Sequence, residues 1–130
     1  MATIQVEVVS PEKKLFSGEA DEVYARSLDG EIGILPGHQP ALLALDVGPV
    51  KVKLADGSEE RFAVHSGFLF FRENHLVLLA DSAERAEDID VNRAQARLRE
   101  LEGERPGDDD EDDHRLAVRR QEVRIDVASR

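Results

Sequence analysis

The side chains that could carry acid–base or metal chemistry are few in kind: four histidines (His38, His65, His75 and His114), 28 carboxylates and no cysteine. Without cysteine a disulfide framework and a thiolate metal site are excluded, leaving imidazole and carboxylate as the only candidate ligands. His38 stands in the most unusual stretch of the chain, GEIGILPGHQP at 30–40. A phosphate-binding loop there would need Gly-Lys-Ser/Thr and a following helix; the stretch lacks the first, and Pro36 and Pro40 forbid the second. A nucleophile elbow would need Ser, Thr or Cys between its glycines, and none is present. As a general base His38 has no neighbouring serine or histidine for a partner, and a surface turn histidine is the commoner case. A backbone explanation remains. Gly30, Gly33 and Gly37 permit tight turns, Pro36 and Pro40 remove amide donors, and the stretch reads as a shaped docking loop at a sheet edge.

Two charge patterns invite the same scrutiny. DDDEDD at 108–113 resembles a calcium loop, but Asp113 stands where an EF-hand needs its turn glycine. It reads instead as a solvated linker that also caps the next helix. All four lysines precede position 54, and every base after Arg72 is arginine. The arginine fork suits bidentate phosphate or carboxylate contacts, although a genome rich in G and C would leave the same mark.

The elements that must position these residues are of two kinds. Ile4, Val6 and Val8 alternate with polar residues, as do Val50, Val52 and Leu54, which is the period of half-buried strands. SLDGEIG, ADGSEE and FRENHL mark close reversals, Asp56-Gly57 being a strong hairpin signal. SGFLFF and HLVLLA are apolar on both faces and are expected to be central strands covered on each side. Short antiparallel strands with close turns predict a β-sandwich. After Asp81 the period changes: Val91, Ala94, Leu98 and Leu101 form one helical face, with Asp88 or Asp90 as cap and Pro106-Gly107 as terminator. HRLAVRRQEVRIDVAS fits both a helical stripe (Leu116, Val123, Val127) and a strand, and the short connection favours a helix, giving an αα-hairpin. The expected fold is thus mainly β with α: an N-terminal antiparallel β-sandwich over 1–83, then a C-terminal α-helical hairpin over 84–130 with an acidic linker at 104–113.

At 130 residues the chain suits one compact core with an appendage. Its net charge of −11 argues against nucleic-acid binding. No apolar run reaches the ~20 residues that span a bilayer, so direct membrane insertion is not expected. An enzyme reading would use His38, His65 or His75 with Asp46 or Asp81, and nothing in their spacing supports it. The other alternative is a protein-binding scaffold with a disordered acidic tail.

FSGEADEVYARSLDGEIGILPGHQPALLALDVGPV, followed in order by FAVHSGFLFF and LLADSAERAEDIDVNRAQARL, closely resembles the epsilon-subunit family of the bacterial rotary ATP synthase. The resemblance covers nearly the whole chain. It implies a non-catalytic rotor subunit of the central stalk, needing no cofactor, peripheral on the cytoplasmic face of the cell membrane. The implied partners are the gamma subunit, the polar loops of the membrane ring (the c-ring) and, through an extended hairpin that inhibits ATP hydrolysis, the alpha/beta catalytic head. By position Glu31 is expected to face the ring and His38 the gamma subunit.

The same resemblance implies ATP as a regulatory ligand of the folded hairpin. Glu84, Asp90, Arg93 and Ala94 match the family's nucleotide element, and Arg120 and Arg124 match two phosphate-side arginines. Asp90, Arg93 and Arg97 would share a helical face, and Arg120 and Arg124 lie one turn apart. The family's arginine further along the first helix falls on Glu100, with Arg99 rotated about 100° away. A carboxylate there would repel phosphate, so ATP binding of about millimolar strength is expected.

Overall fold

A computed structural model of the chain describes residues 2–105, 107 and 110–129. The strands are β1 (Ile4–Val9), β2 (Lys14–Ala20), β3 (Glu22–Ser27), β4 (Gly30–Ile34), β5 (Ala41–Lys53), β6 (Glu59–Arg72), β7 (His75–Ala80) and β8 (Ala83–Arg85). A 3-10 turn at Ala86–Asp88 leads into α1 (Val91–Glu102) and α2 (Glu111–Ala128). The strand order is β2-β1-β7-β6-β5-β3-β4, with β8 on β6. The architecture is the β-sandwich followed by two C-terminal helices that the sequence predicts. One ladder departs from an all-antiparallel pattern: β1 and β7 run parallel. They come from opposite ends of the sandwich, so no tight hairpin dictates their direction.

Turn residues place the reversals. Glu73 and Asn74 both have positive φ and close β6 to β7 in two residues, the primed geometry that matches strand twist. Leu28-Asp29 closes β3 to β4 ahead of Gly30, whose φ is +127°.

The two longest strands make the sandwich by changing sides. On β6 the core residues are Phe62 and Val64, then Leu69 and Phe71, so the inward parity flips between 64 and 69. On β5 the flip lies between Leu45 and Val50. The β6 flip is made where Ser66 (φ +66°) and Gly67 (φ +145°) take positive φ. A Cβ on Gly67 would meet the Leu79 carbonyl oxygen at 2.2 Å, so only glycine fits. Both strands therefore contribute one half to each layer, a corner built by local backbone change.

The flip also decides what lies outside. Near the corner Val47 and Ala63 point away from the main core and form a second cluster with Ile89, Val123 and Val127. There α2 docks. The other half has no such cover. Leu42 (64% exposed), Phe68 (51%), Phe70 (41%) and Leu79 (43%) face outward. The expectation that SGFLFF and HLVLLA are covered on both sides is thus corrected: one face is core, and the hairpin lies on the other sheet.

Asp90 caps α1, its carboxylate accepting from the Arg93 amide at 3.0 Å. The helix ends at Glu102 with Gly103 as its C-cap, before the expected stop at Pro106-Gly107; Pro106 lies outside the described residues, as do Asp108 and Asp109 of the acidic run. Glu111, Asp112 and Asp113 belong to the first turn of α2, where carboxylates favour the helix dipole. His114 meets the Leu101 carbonyl at 2.7 Å, joining the start of α2 to the end of α1. The strand β8 crosses the boundary expected at 83/84, pairing Ala83, Glu84 and Arg85 with β6.

Candidate docking face and anion pocket

Strand register gathers the exposed apolar residues into one surface. Leu42 on β5 is directly opposite Phe70 on β6, and Phe68 is opposite Leu79 on β7. Four large apolar side chains on three neighbouring strands make a patch of the kind that marks a protein interface.

His38 is tied to the strand that bears this patch. Its ring stands edge-on to Phe71, 5.7 Å between centroids, and its Nδ1 lies 2.7 Å from the Gln39 carbonyl. The Gly37 amide donates to the Asn74 side chain at 2.7 Å, fastening the 36–40 loop to the β6–β7 turn. Glu31 lies elsewhere. It is exposed on β4 opposite Arg26, at a groove of about 920 Å³ that runs between the β3–β5–β6 surface and α2. The two expected docking residues therefore lie on different elements, His38 against the end of β6 and Glu31 on β4.

On the other side of α2 a second cavity of about 600 Å³ opens among β8, α1 and α2. Glu84, Asp90, Arg93, Ala94 and Arg124 all line it, brought together from β8, the start of α1 and α2. Arg120 is not among its walls. α2 is phased by burial of Val123 and Val127, and at that phase Gln121 reaches the cavity beside Arg124. Arg97 and Glu100 also line it and bond to each other at 2.9 Å. With Asp88 included, four carboxylates face three guanidinium groups.

Glu84 is the best-held charge here. It accepts from His65 Nε2 at 3.1 Å and from Arg124 Nε. The His65 hydrogen bond, then the hydrogen bond and charge of Arg124, hold its carboxyl at about 2 despite partial burial. A second tie joins α2 to the corner of β5, where Arg119 meets Asp46 at 3.5 Å and the Val47 carbonyl at 3.3 Å.

The histidines and aspartates of an enzyme reading are not assembled into a site. His65 bonds to Glu84, His75 to Glu7 and His38 to a backbone carbonyl. Among the described residues no group of three or more His, Asp or Glu could hold a metal ion, and no helix is long and apolar enough to cross a membrane. Sequence reasoning missed His65, Asp88 and Gln121 as neighbours of the pocket. His65 occupies a strand position like any other, and only the corner turns it toward the hairpin.

Comparisons with known proteins agree with this fold. The family model described as the β-sandwich domain of the ATP synthase Delta/Epsilon chain matches residues 3–86. The ATP synthase epsilon chain of Streptomyces avermitilis is 43% identical over 128 residues, 98% of this chain and 97% of that one. That of Shouchella clausii is 39% identical over 130 residues, covering 98% and 96%. In fold, the chain is similar to one in the Euglena gracilis mitochondrial ATP synthase assembly of OSCP, F1 and c-ring, with a TM-score of 0.86 at 19% identity over 100% of this chain and 83% of that one. A chain of the Tetrahymena thermophila central stalk and c-ring gives 0.63 at 13% identity, covering 98% and 95%.

Proposed function

The chain belongs to the ATP synthase epsilon-chain family, whose members are non-catalytic subunits of that complex, and on that premise we propose that it is a rotor subunit which docks on the gamma subunit through its uncovered apolar face. The observation that carries this reading is the surface of Leu42, Phe68, Phe70 and Leu79, left bare by a chain that covers the equivalent part of its other sheet. His38 is tied to the same strand through Phe71, whose ring is on the core face, and Glu31 lies on β4, available to the polar loops of the ring. The subunit would then be peripheral, on the cytoplasmic face of the membrane. Phe70→Glu tests the docking claim. Because Phe70 is exposed, the variant should keep its thermal stability and fail to co-purify with gamma. Full retention of stoichiometric gamma binding would refute the assignment of this face.

The same reading makes the hairpin a brake. Its seat on the sandwich includes a small apolar cluster and the ties of Arg119 and Arg124, a contact able to open and close. Extended toward the catalytic head, it would obstruct rotation in the hydrolysis direction; ATP in the 600 Å³ pocket would favour the folded form. Four carboxylates against three arginines support binding that is weak, about millimolar, and assisted by Mg²⁺. Titration calorimetry of Mg-ATP with the whole chain tests this, and absence of saturable binding would remove ATP from the account.

A further inference from the structure

Arg124 lines the pocket, yet its Nε is already spent on Glu84. Glu84 in turn shares one oxygen, Oε1, between Arg124 and His65 Nε2. His65 is the fixed end of this chain. Its side chain is 3% exposed, and its backbone amide donates to the Ser82 carbonyl at 2.8 Å, locking β6 to the segment before β8. The hydrogen-bonded chain thus runs from a buried ring on the sandwich, through β8, to α2. Bonding through Nε leaves the two terminal nitrogens of the Arg124 fork for another acceptor.

We propose that His65 is a positioning residue that acts through Glu84 on Arg124, so that one chain of bonds fastens α2 to the sandwich without nucleotide and presents the Arg124 fork to an anionic phosphate in the pocket. The second half rests on the nucleotide reading above; the first does not. A carboxylate without His65 would be free to turn to solvent, and its pair with Arg124 would become an ordinary surface ion pair of little value. With His65 the carboxylate is held in place before Arg124 arrives, and less rotamer freedom is lost on docking.

The test uses the whole chain and two measurements: amide hydrogen exchange of α2 without nucleotide, and calorimetric Kd for Mg-ATP. His65→Met keeps apolar bulk but removes the donor; it should speed α2 exchange and weaken Mg-ATP binding, each by about tenfold. His65→Gln offers an amide N–H to Glu84 and should restore both to within about threefold of wild type. If the Met and Gln variants behave alike, or neither differs from wild type, the proposal is overturned. Should His65→Met also loosen β5 and β6, Glu84→Ala takes its place and must show the same two losses with the sandwich protected. Loss of α2 protection in a chain that binds no Mg-ATP even as wild type upholds the fastening and removes the nucleotide reading. Wild-type Mg-ATP binding that no variant changes upholds the nucleotide reading and overturns the role given to His65 in presenting Arg124.

Discussion

Glu84 shows how much a single carboxyl can depend on its setting. It lies in a chain with 28 carboxylates, yet a buried imidazole and an arginine hold it at about 2. Its folded value lies below the ordinary 4.5, so its contribution to docking is complete above 4.5 and is lost as pH falls toward 2. The ¹³C titration of the Glu84 carboxyl should have its midpoint near 2; one near 4.5 would mean that neither bond persists in solution. Glu100 works the other way, placing a negative charge on the pocket wall and engaging Arg97. Glu100→Arg should tighten Mg-ATP binding by about tenfold, because it removes one repulsion and adds one guanidinium; unchanged calorimetry would show that α1 does not present this residue to phosphate. At this scale the sequence was partly legible. A cap at Asp88 or Asp90 follows from helical spacing, and Arg93 on the pocket side from the family resemblance. The role of His65 does not, since a strand residue gives no sign of what a distant helix will bring to it.

At the scale of elements, the two long strands decide the architecture. Their change of inward parity bends one continuous sheet into two layers, and Gly67 marks where it happens on β6. Gly67→Ala should cost more than about 3 kcal/mol in denaturant unfolding, because its Cβ would collide with the Leu79 backbone. Gly30→Ala, at φ +127° but in open space, should cost about 1–2 kcal/mol. Equal costs would contradict the close approach at the corner. Alternation in Ile4–Val8 and the hairpin at Asp56-Gly57 announced strands plainly, and the change of period after Asp81 announced helices. The parity flip was hidden because FLFF at 68–71 is apolar at every position, so its two faces look alike in sequence and only packing separates them. For the same reason the sequence reads as a strand covered on both sides where the structure leaves one face bare. Val127→Ala should loosen α2 in hydrogen exchange while β1 and β7 stay protected, since Val127 belongs to the small cluster under the helix and not to the main core.

For the molecule as a whole, the account divides labour between an anchored sandwich and a movable hairpin. Residues 2–87 contain every strand, including β8, together with Glu31, His38 and the apolar face. A chain that lacks everything from Asp88 onward should therefore still assemble on gamma. The central claim is that the sandwich anchors and the hairpin restrains, and the direct measurement is ATP hydrolysis by the assembled synthase carrying either the whole chain or the chain cut before Asp88. The account predicts equal assembly and several-fold faster hydrolysis with the cut chain, reversed when the whole chain is restored. Equal hydrolysis rates from equally assembled complexes would contradict it.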